Sequence, residues 1–414
     1  MPQIRFSAAV PDALNGCSLP EVQSLFSARG LSAHQARLTF QAIQRHGILD
    51  PGEMPEISAK CREFLRCLRP LPRLSLDSVH RSADGATKLR LKTRDAQMIE
   101  AVIIPAQNAR RRVTLCVSCQ VGCAAGCAFC RTGALGLKRN LEAWEIVEQY
   151  RIAGELLWRN PPDCDAIRRI APLRNPACPE YAAPRRQSNP NESGANRKSK
   201  ITNVVFMGMG EPLQTMESVL RACRIFNEDL GAGLSPRHIV VSTAGVGNRI
   251  RELWQEGVAS LALSLHATTD ELRRQLVPLA RQWDLAALRQ ILLSIPWRRR
   301  ETVTIAYLLL GGLNDTRDDA RRLAEWLRGM PAKLNLLEFN SWPQGGGGQA
   351  IPAEAETCDK PCAFRRASPE KLAAFRQWLY DFGVFNTLRH SRGSDVLAAC
   401  GLLAGQYEEV KSKK

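Results

Sequence analysis

The stretch Val121-Gly-Cys-Ala-Ala-Gly-Cys-Ala-Phe-Cys130 places three cysteines in the pattern C-x3-C-x2-C. Four cysteines would occupy every iron of a [4Fe–4S] cluster, whereas three leave one iron free for another ligand. An open iron of this kind can bind and reductively cleave S-adenosylmethionine (SAM), a cofactor of radical chemistry. The spacing therefore predicts a cluster held by Cys123, Cys127 and Cys130, with SAM at the open iron.

A zinc site or simple packing is the alternative interpretation of these cysteines. Structural zinc usually takes four ligands, arranged in two closely spaced pairs. No second pair of that kind lies nearby, although Cys116 and Cys119 stand upstream and could contribute. The spacing favours the cluster.

The composition indicates a cytosolic protein that meets a polyanion. The chain has 414 residues, a formal net charge of +16 and 14 cysteines. This length suits one barrel-sized domain with smaller additions. The positive charge points to nucleic acid, and a basic surface without a partner is the alternative. So many cysteines in a chain of this size do not form a small secreted disulfide framework. No signal peptide and no long apolar run is present, so we expect a cytoplasmic protein with no membrane contact.

Alternating strands and helices predict the fold class. Six apolar runs have the character of strands, and helical spacing fills the intervals between them. The predicted strands are Val113–Val117, Asn203–Met207, His238–Ser242, Leu261–Leu265, Val303–Leu310 and Leu334–Phe339. The predicted helices are Leu141–Trp158, Met216–Leu230, Asn248–Glu256, Leu285–Ile295 and Arg317–Arg328. This α/β order predicts a parallel sheet covered by helices, and six units make a partial (βα)6 barrel rather than the full eight.

Polar and glycine-rich segments follow these strands. The cysteine run follows the first strand, Gly208–Pro212 the second, Ser242-Thr243 the third and Ser264-Leu265-His266 the fourth, while Asn340 follows the sixth. The carboxyl ends of parallel strands share one face, where active sites form in such barrels. These residues are therefore expected to meet in one site.

The chain divides into three predicted parts. Residues 1–105 form a small module of helices and a hairpin, with helices at Leu19–Arg29 and Ser32–His46 and a turn at Asp84-Gly85. Residues 106–345 form the barrel, and its segment 161–200 has the composition of a polar insertion. Residues 346–414 form a C-terminal extension that follows the glycine-rich link Gln344–Gln349. It includes a predicted helix at Lys371–Phe382.

The motifs resemble those of the RlmN/Cfr family of radical-SAM RNA methyltransferases. The resemblance runs from about residue 20 to residue 405, with the 161–200 insertion interrupting it. The matching stretches are Thr114–Gly133, Met207–Leu213, Leu234–Arg237, Val241–Thr243, Leu263–Ala267, Gly312–Asp315, Arg389–Asp395 and Ala398–Gly401. A match of these stretches in this order is highly specific.

The resemblance implies a role for each matching position. Cys123, Cys127 and Cys130 would bind the [4Fe–4S] cluster. The SAM pocket would comprise Gly210, Glu211, Ser242, Ser264, Leu265, His266 and Asn340. Cys400 would carry a methyl group taken from one SAM, and a second SAM would supply the radical that activates it. Cys116 would release the carbon by forming a transient disulfide with Cys400, and Glu100 would accept the ring proton.

Isolated from the family, several of these residues have a simpler interpretation. Cys400 alone would more often be a small buried residue. His266 alone would be a structural histidine, and Glu211 a charge at a helix N-terminus.

The resemblance also implies substrate and partners. Glu211-Pro212 and Arg392-Gly393 are similar to the branch that methylates C2 of adenine, rather than the C8 branch. The implied targets are an adenosine of 23S rRNA and an adenosine beside the tRNA anticodon. An electron donor such as flavodoxin or ferredoxin would reduce the cluster, and a monomer is expected.

Some positions depart from the family pattern. Cys119 stands where serine is usual, Leu402 replaces a glutamine, and Leu397 and the segment after Asn340 also differ. A divergent paralogue with another RNA target is therefore one alternative, and a C8 methyltransferase is a second. A non-catalytic Fe–S protein that binds RNA is the alternative from another class, and the presence of Cys116, Cys400 and Glu211 argues against it. An enzyme acting on a small molecule is disfavoured by the net charge.

Overall fold

A computed structural model describes residues 13–54, 56–68, 71–106, 112–159, 201–341 and 364–404. The helices are α1 Leu19–Ser27, α2 Ala33–His46, α3 Ala59–Cys67, α4 Arg131–Ala134, α5 Ala143–Arg159, α6 Met216–Asn227, α7 Gly247–Glu256, α8 Asp270–Leu276, α9 Leu285–Leu293, α10 Arg317–Leu327 and α11 Pro369–Asp381. The strands are β1 Ser75–Arg81, β2 Thr87–Lys92, β3 Met98–Pro105, β4 Val113–Cys116, β5 Gln120–Gly122, β6 Leu137–Asn140, β7 Asn203–Phe206, β8 Ile239–Thr243, β9 Ser260–Ser264, β10 Val303–Leu309, β11 Ala332–Glu338 and β12 Asn386–Arg389.

The central sheet contains the six predicted strands in chain order. β4, β7, β8, β9, β10 and β11 pair in parallel, each with the next, and helices connect most of them. Their apolar side chains are mostly buried, as expected for parallel strands covered on both faces. The predicted α/β partial barrel of six units is confirmed, and β12 adds a seventh parallel strand beside β11.

The N-terminal module joins this sheet directly. β1, β2 and β3 form an antiparallel meander, and β3 pairs with β4 in the register Val102 opposite Cys116. The predicted turn at Asp84-Gly85 is present, and Gly85 has a positive φ of 88°. The boundary predicted at residue 105 thus lies at the end of a strand of the same sheet.

Helix caps bear out the predicted helix ends of this module. The Ser32 hydroxyl accepts a hydrogen bond from the Gln35 amide at the start of α2. Gly47 ends α2 in the left-handed conformation, which glycine adopts without strain. Ser18 and Glu21 form a capping box at the start of α1.

A contact across the sheet shows its curvature. β7 and β12 are separated by four strands, yet Arg389 at the end of β12 reaches Met207 just after β7, with 3.4 Å between Nη1 and Sδ. The carboxyl ends of the parallel strands therefore converge. None of the helices within the described ranges is long and apolar enough to cross a membrane.

Two elements were not predicted, and three segments of the chain lie outside the described residues. The seven-residue helix α8 and the β5–β6 hairpin were not predicted from the sequence. The insertion 161–200, the link Gln344–Gln349 and the end of the chain lie outside the described residues. The domain limits 1–105, 106–345 and 346–414 stay predictions.

Candidate active site

The cluster loop, residues 121–133, is held by backbone hydrogen bonds, within the loop and to neighbouring segments. The Cys123 amide donates to the Gly136 carbonyl at 2.9 Å, and the Cys130 amide donates to the Cys127 carbonyl at 3.1 Å. Ala128 donates to the carbonyl of Leu276 at the end of α8. Gly133 packs so tightly that a Cβ there would lie 2.7 Å from the Cys127 carbonyl oxygen. The loop is thus fixed in one shape, which places its three cysteines.

The three cysteine thiols influence one another. Burial raises the pKa of Cys127 well above its usual range, and the charges of Cys130 and Cys123 raise it further. Burial likewise raises the pKa of Cys123 to about 12 and raises that of Cys130. The three thiols therefore lie within electrostatic range of one another, and Cys123 and Cys127 pack against the same apolar cluster.

Hydrogen-bond donors face two of these sulfurs, those of Cys123 and Cys130. The Ala125 amide donates to Cys123 Sγ at 3.4 Å, and donors at Thr132 and Gly133 lower the pKa of Cys130. Donors of this kind stabilise thiolates and are a typical feature of iron–sulfur sites. In the described ranges, no three His, Cys, Asp or Glu side chains are grouped as ligands of a single metal ion. A [4Fe–4S] cluster distributes its thiolates over separate irons, so the donor set of this loop fits a cluster.

Glu211 connects the ends of two strands. Its carboxylate accepts hydrogen bonds from the Leu213 amide at 3.1 Å and from the Ala244 amide, after β8, at 2.7 Å. The side chain is buried, and burial raises its pKa. The sequence suggested two places for Glu211, the N-terminus of a helical turn and the end of a strand. Its carboxylate occupies both, because it caps the turn that begins at Pro212 and binds the segment after β8.

Gly210 is needed for close approach to the segment after β4. It has a φ of 109°, and a Cβ there would lie 2.7 Å from Gln120 Cβ and 2.8 Å from Cys119 Sγ. The Gln120 side chain also accepts a hydrogen bond from the Glu211 amide at 2.9 Å. Cys119, which has no predicted role, is thus a buried packing partner of this glycine.

The ends of β8 and β9 place three more predicted residues side by side. Ser242 pairs with Ala262, and Ser264 pairs with Ala306 on β10. Both serines are half-buried, whereas Leu265 is buried and its amide donates to the Ala306 carbonyl at 3.0 Å. The two hydroxyl-bearing residues therefore lie on adjacent strand ends, as the sequence predicted.

His266 is a buried neutral histidine. Its Nδ1 accepts a hydrogen bond from the Leu308 amide at 3.0 Å, which leaves the proton on Nε2. Burial lowers its pKa to about 3. The ring meets Phe129 of the cluster loop edge to face, with 4.9 Å between centroids. His266 therefore has the structural contacts of the simpler interpretation and also touches the cluster loop.

Arg273 on α8 is a supporting residue that the sequence reasoning missed. Its fully buried guanidinium donates to the carbonyls of Ala244 at 2.7 Å and Leu265 at 3.2 Å. Burial lowers its pKa to about 10, and the charge of Cys127 opposes that shift. Arg273 thus fixes the segments after β8 and β9. An arginine in a short polar stretch gave no signal of this role.

Cys400 lies in a second loop, residues 392–404, called here the Cys400 loop. The Arg131 amide donates to the Gly401 carbonyl at 2.8 Å, and the Thr132 hydroxyl donates to the Leu403 carbonyl at 2.6 Å. Asn340 Nδ2 donates to the Cys400 carbonyl at 3.2 Å. These contacts attach the Cys400 loop to the cluster loop and to the end of β11.

The two cysteines of the proposed reaction are near each other but differ in environment. Cys400 is exposed, unlike the small buried residue that its local sequence suggested. Cys116, at the end of β4, is buried, and burial together with the charge of Cys400 raises its pKa to about 12. Arg389 opposes that shift. Cys400 also raises the pKa of Cys130, so it lies within electrostatic range of both the cluster loop and Cys116.

Glu100 is placed in the sheet beneath the Cys400 loop. It is buried on β3, forms an ion pair with Lys88 at 3.4 Å, and accepts a hydrogen bond from the Ala404 amide at 3.0 Å. Its role as a proton acceptor stays a prediction.

Known proteins similar to this chain were found by sequence and by structure. The "Dual-specificity RNA methyltransferase RlmN" of Nitratidesulfovibrio vulgaris strain DP4 is 35% identical over 395 residues, covering 95% of this chain and 94% of that protein. The protein of the same name from Syntrophobacter fumaroxidans is 35% identical, covering 96% and 99%. A scan against protein-family models found no match.

A solved structure supports the same relationship. The crystal structure of a radical SAM methyltransferase from Sphaerobacter thermophilus has a TM-score of 0.74 and 33% identity, and it covers 96% of this chain and 100% of that one. The identity and coverage hold over nearly the whole length, and the cysteines of the cluster loop and the Cys400 loop lie together in the fold. The chain belongs to the RlmN family of radical SAM RNA methyltransferases.

Proposed function

We propose that this enzyme methylates C2 of an adenosine in 23S rRNA and of an adenosine in tRNA, with Cys400 as the methyl carrier. One observation carries the proposal: the exposed Cys400 lies against the cluster loop and within electrostatic range of the buried Cys116. The name of the relatives, dual-specificity RNA methyltransferase, supports RNA as the substrate class.

Cys123, Cys127 and Cys130 would hold the cluster, since the three thiols lie within electrostatic range of one another and two of them accept hydrogen bonds. The SAM pocket would be formed by Gly210, Glu211, Ser242, Ser264, Leu265, His266 and Asn340. Two SAM molecules would be used per turnover: one would supply the methyl group that Cys400 carries, leaving S-adenosylhomocysteine, and the other, together with the cluster, would supply the radical chemistry that activates this methyl group.

The chain's own residues would then complete the reaction. The Cys400 thiolate attacks a methyl group, and its exposure lets it reach both SAM and an RNA base. Burial raises the pKa of Cys116 to about 12, so this thiol would have to lose its proton before it attacks. The adduct on the ring would give up one electron, which the cluster could accept, and the ring proton, which Glu100 would take. The Cys116 thiolate would then attack the Cys400 sulfur, so that an S–S bond forms as the bond from Cys400 to the carbon breaks. The electron pair of that bond would stay on the carbon, which takes up a proton to become the methyl group.

The C2 assignment rests on Glu211-Pro212 and Arg392-Gly393. In the structure, Arg392 forms an ion pair with Asp84 at 3.0 Å, and the Gly393 amide donates to the same carboxylate at 2.8 Å. These two residues hold the Cys400 loop against the β1–β2 turn. They could favour one adenine carbon by setting the position of the loop.

RNA binding would involve the positive charge of the chain and the module of residues 1–105. A target base would be splayed from its stack to reach Cys400, as enzymes that modify bases require. We further propose that the enzyme is a cytoplasmic monomer and that flavodoxin or ferredoxin reduces its cluster.

Mass spectrometry of nucleosides tests it directly. The reconstituted protein is incubated anaerobically with SAM, a reductant, and unmodified 23S rRNA or tRNA. We expect 2-methyladenosine, whereas 8-methyladenosine would assign the enzyme to the C8 branch. A methyl group on Cys400 without any methylated base would indicate a different RNA target. Absence of methyl from both protein and RNA would favour the non-catalytic alternative.

A further inference from the structure

A buried ion pair lies beneath the Cys400 loop. The side chains of Lys88 and Glu100 are 5% and 3% exposed, and Nζ lies 3.4 Å from Oε1. Lys88 is on β2 and Glu100 is on β3, where Glu100 pairs directly with Arg90, so the ion pair is diagonal across the two strands. Burying two charges is costly unless both find further hydrogen bonds.

Those further hydrogen bonds go to the Cys400 loop. Lys88 Nζ donates to the Leu397 carbonyl at 3.5 Å, three residues before Cys400. Glu100 Oε2 accepts from the Ala404 amide at 3.0 Å, four residues after it. One ion pair therefore holds the loop on both sides of the methyl-carrying cysteine.

The backbone at Leu397 shows that this position is constrained. Leu397 has a φ of 52° and a ψ of 39°, the left-handed conformation, which is unfavourable for a residue with a branched side chain. Such conformations persist when the surroundings determine them strongly. The Lys88 contact to the Leu397 carbonyl is one interaction that holds it.

The cluster loop also holds the Cys400 loop, through Arg131 and Thr132. Cys400 thus lies in a loop with two supports, the cluster loop and the ion pair. Small misplacements of a reacting group cost large factors in rate, because the attacking and attacked atoms must be aligned.

We propose that Lys88 and Glu100 act as a positioning pair that fixes Cys400 for methyl transfer. This inference rests on the proposed role of Cys400. It gives Glu100 a task in every methyl transfer to Cys400, including transfer in the absence of RNA, where no ring proton has to be removed.

The test measures methyl transfer to Cys400 without RNA. Full-length protein with reconstituted cluster receives SAM carrying a labelled methyl group, with no reductant and no RNA, and intact-protein mass spectrometry follows the label. We expect Lys88→Met and Glu100→Gln to slow labelling of Cys400 by about tenfold, and Lys88→Arg to restore part of the rate. Lys92→Met, an exposed lysine on the same strand, is the matched control and should label at the wild-type rate.

Hydrogen exchange of peptides covering residues 397–404 provides the second measurement. Lys88→Met should lower the protection of this segment by about tenfold, with iron content and the exchange of the barrel strands unchanged. Wild-type labelling together with wild-type protection in Lys88→Met and Glu100→Gln would overturn the positioning role. If the wild-type protein takes no label at all, the proposed function fails instead, and the exchange measurement still decides whether the pair holds the loop.

Discussion

The two loops that form the candidate site are held by different means. The cluster loop is fixed largely by short-range backbone hydrogen bonds and by the tight packing of Gly133 on Cys127. The Cys400 loop is fixed by side chains from far along the chain, such as Glu100, which lies 304 residues before its partner Ala404. The first loop should therefore be disturbed mainly by changes within it, whereas the second should respond to substitutions in the N-terminal strands.

Removing a cluster ligand should give the largest effect on iron content. Comparing it with removal of Cys400 distinguishes the role of the cluster loop from that of the Cys400 loop. Cys127→Ala is expected to lose the iron and its visible absorbance, since two thiolates cannot hold the cluster in place. Cys400→Ala is expected to keep the iron and SAM cleavage but to lose RNA methylation. Iron analysis and nucleoside mass spectrometry measure both. A full cluster in Cys127→Ala would show that the ligand assignment is wrong.

Arg273 tests whether the part of the site around the cluster loop depends on the residues of the cluster loop alone. Arg273→Met removes the donors to the Ala244 and Leu265 carbonyls and should lower the free energy of unfolding by about 3 kcal/mol. Chemical denaturation of the metal-free protein measures this. Arg274→Met, which changes the neighbouring arginine on the same helix, is the control, and an equal loss in both variants would contradict the supporting role.

The sequence predicted most of the strand ends that surround the cluster loop. It predicted little of what holds the Cys400 loop. Apolar runs and the ends of parallel strands were enough to place Gly210, Glu211, Ser242 and Ser264 on one face. Helix α8 was missed because it has only seven residues, of which four are charged. The contacts of Lys88 and Asp84 with the Cys400 loop join residues more than 300 positions apart, and no local pattern encodes such pairs.

Gly133 tests the packing of the cluster loop at a single atom. Gly133→Ala would place a methyl group 2.7 Å from the Cys127 carbonyl oxygen, and overpacking of this kind should cost about 2 kcal/mol and lower the iron content. Gly136→Ala is a useful comparison, because Gly136 has a φ of 65° but nothing within 4 Å of the added Cβ. It should cost about 1 kcal/mol from the left-handed conformation alone and keep its iron. Equal iron loss in both variants would contradict the packing argument.

Substitution of Asp84 should have the smallest effect on the free energy of unfolding, and its effect should be confined to the Cys400 loop. Asp84→Ala removes the partner of Arg392 and of the Gly393 amide, and should cost about 1 kcal/mol. Hydrogen exchange should increase around Gly393 while the cluster loop keeps its protection. Asp77→Ala, at a more exposed carboxylate on β1, is the control. Increased hydrogen exchange in the cluster loop would mean that the cluster loop and the Cys400 loop are not independent.

The attachment of the Cys400 loop to β2 and β3 has a consequence for the order in which this protein matures. During synthesis the turn carrying Asp84 and the strands carrying Lys88 and Glu100 emerge early, and the loop that covers them emerges hundreds of residues later. Until then the lysine and the carboxylates can remain hydrated, so their desolvation belongs to the last stage of folding. The barrel and its three thiols can be ready for iron before the methyl carrier arrives, which would make cluster insertion and completion of the active site two separate events in the life of the chain.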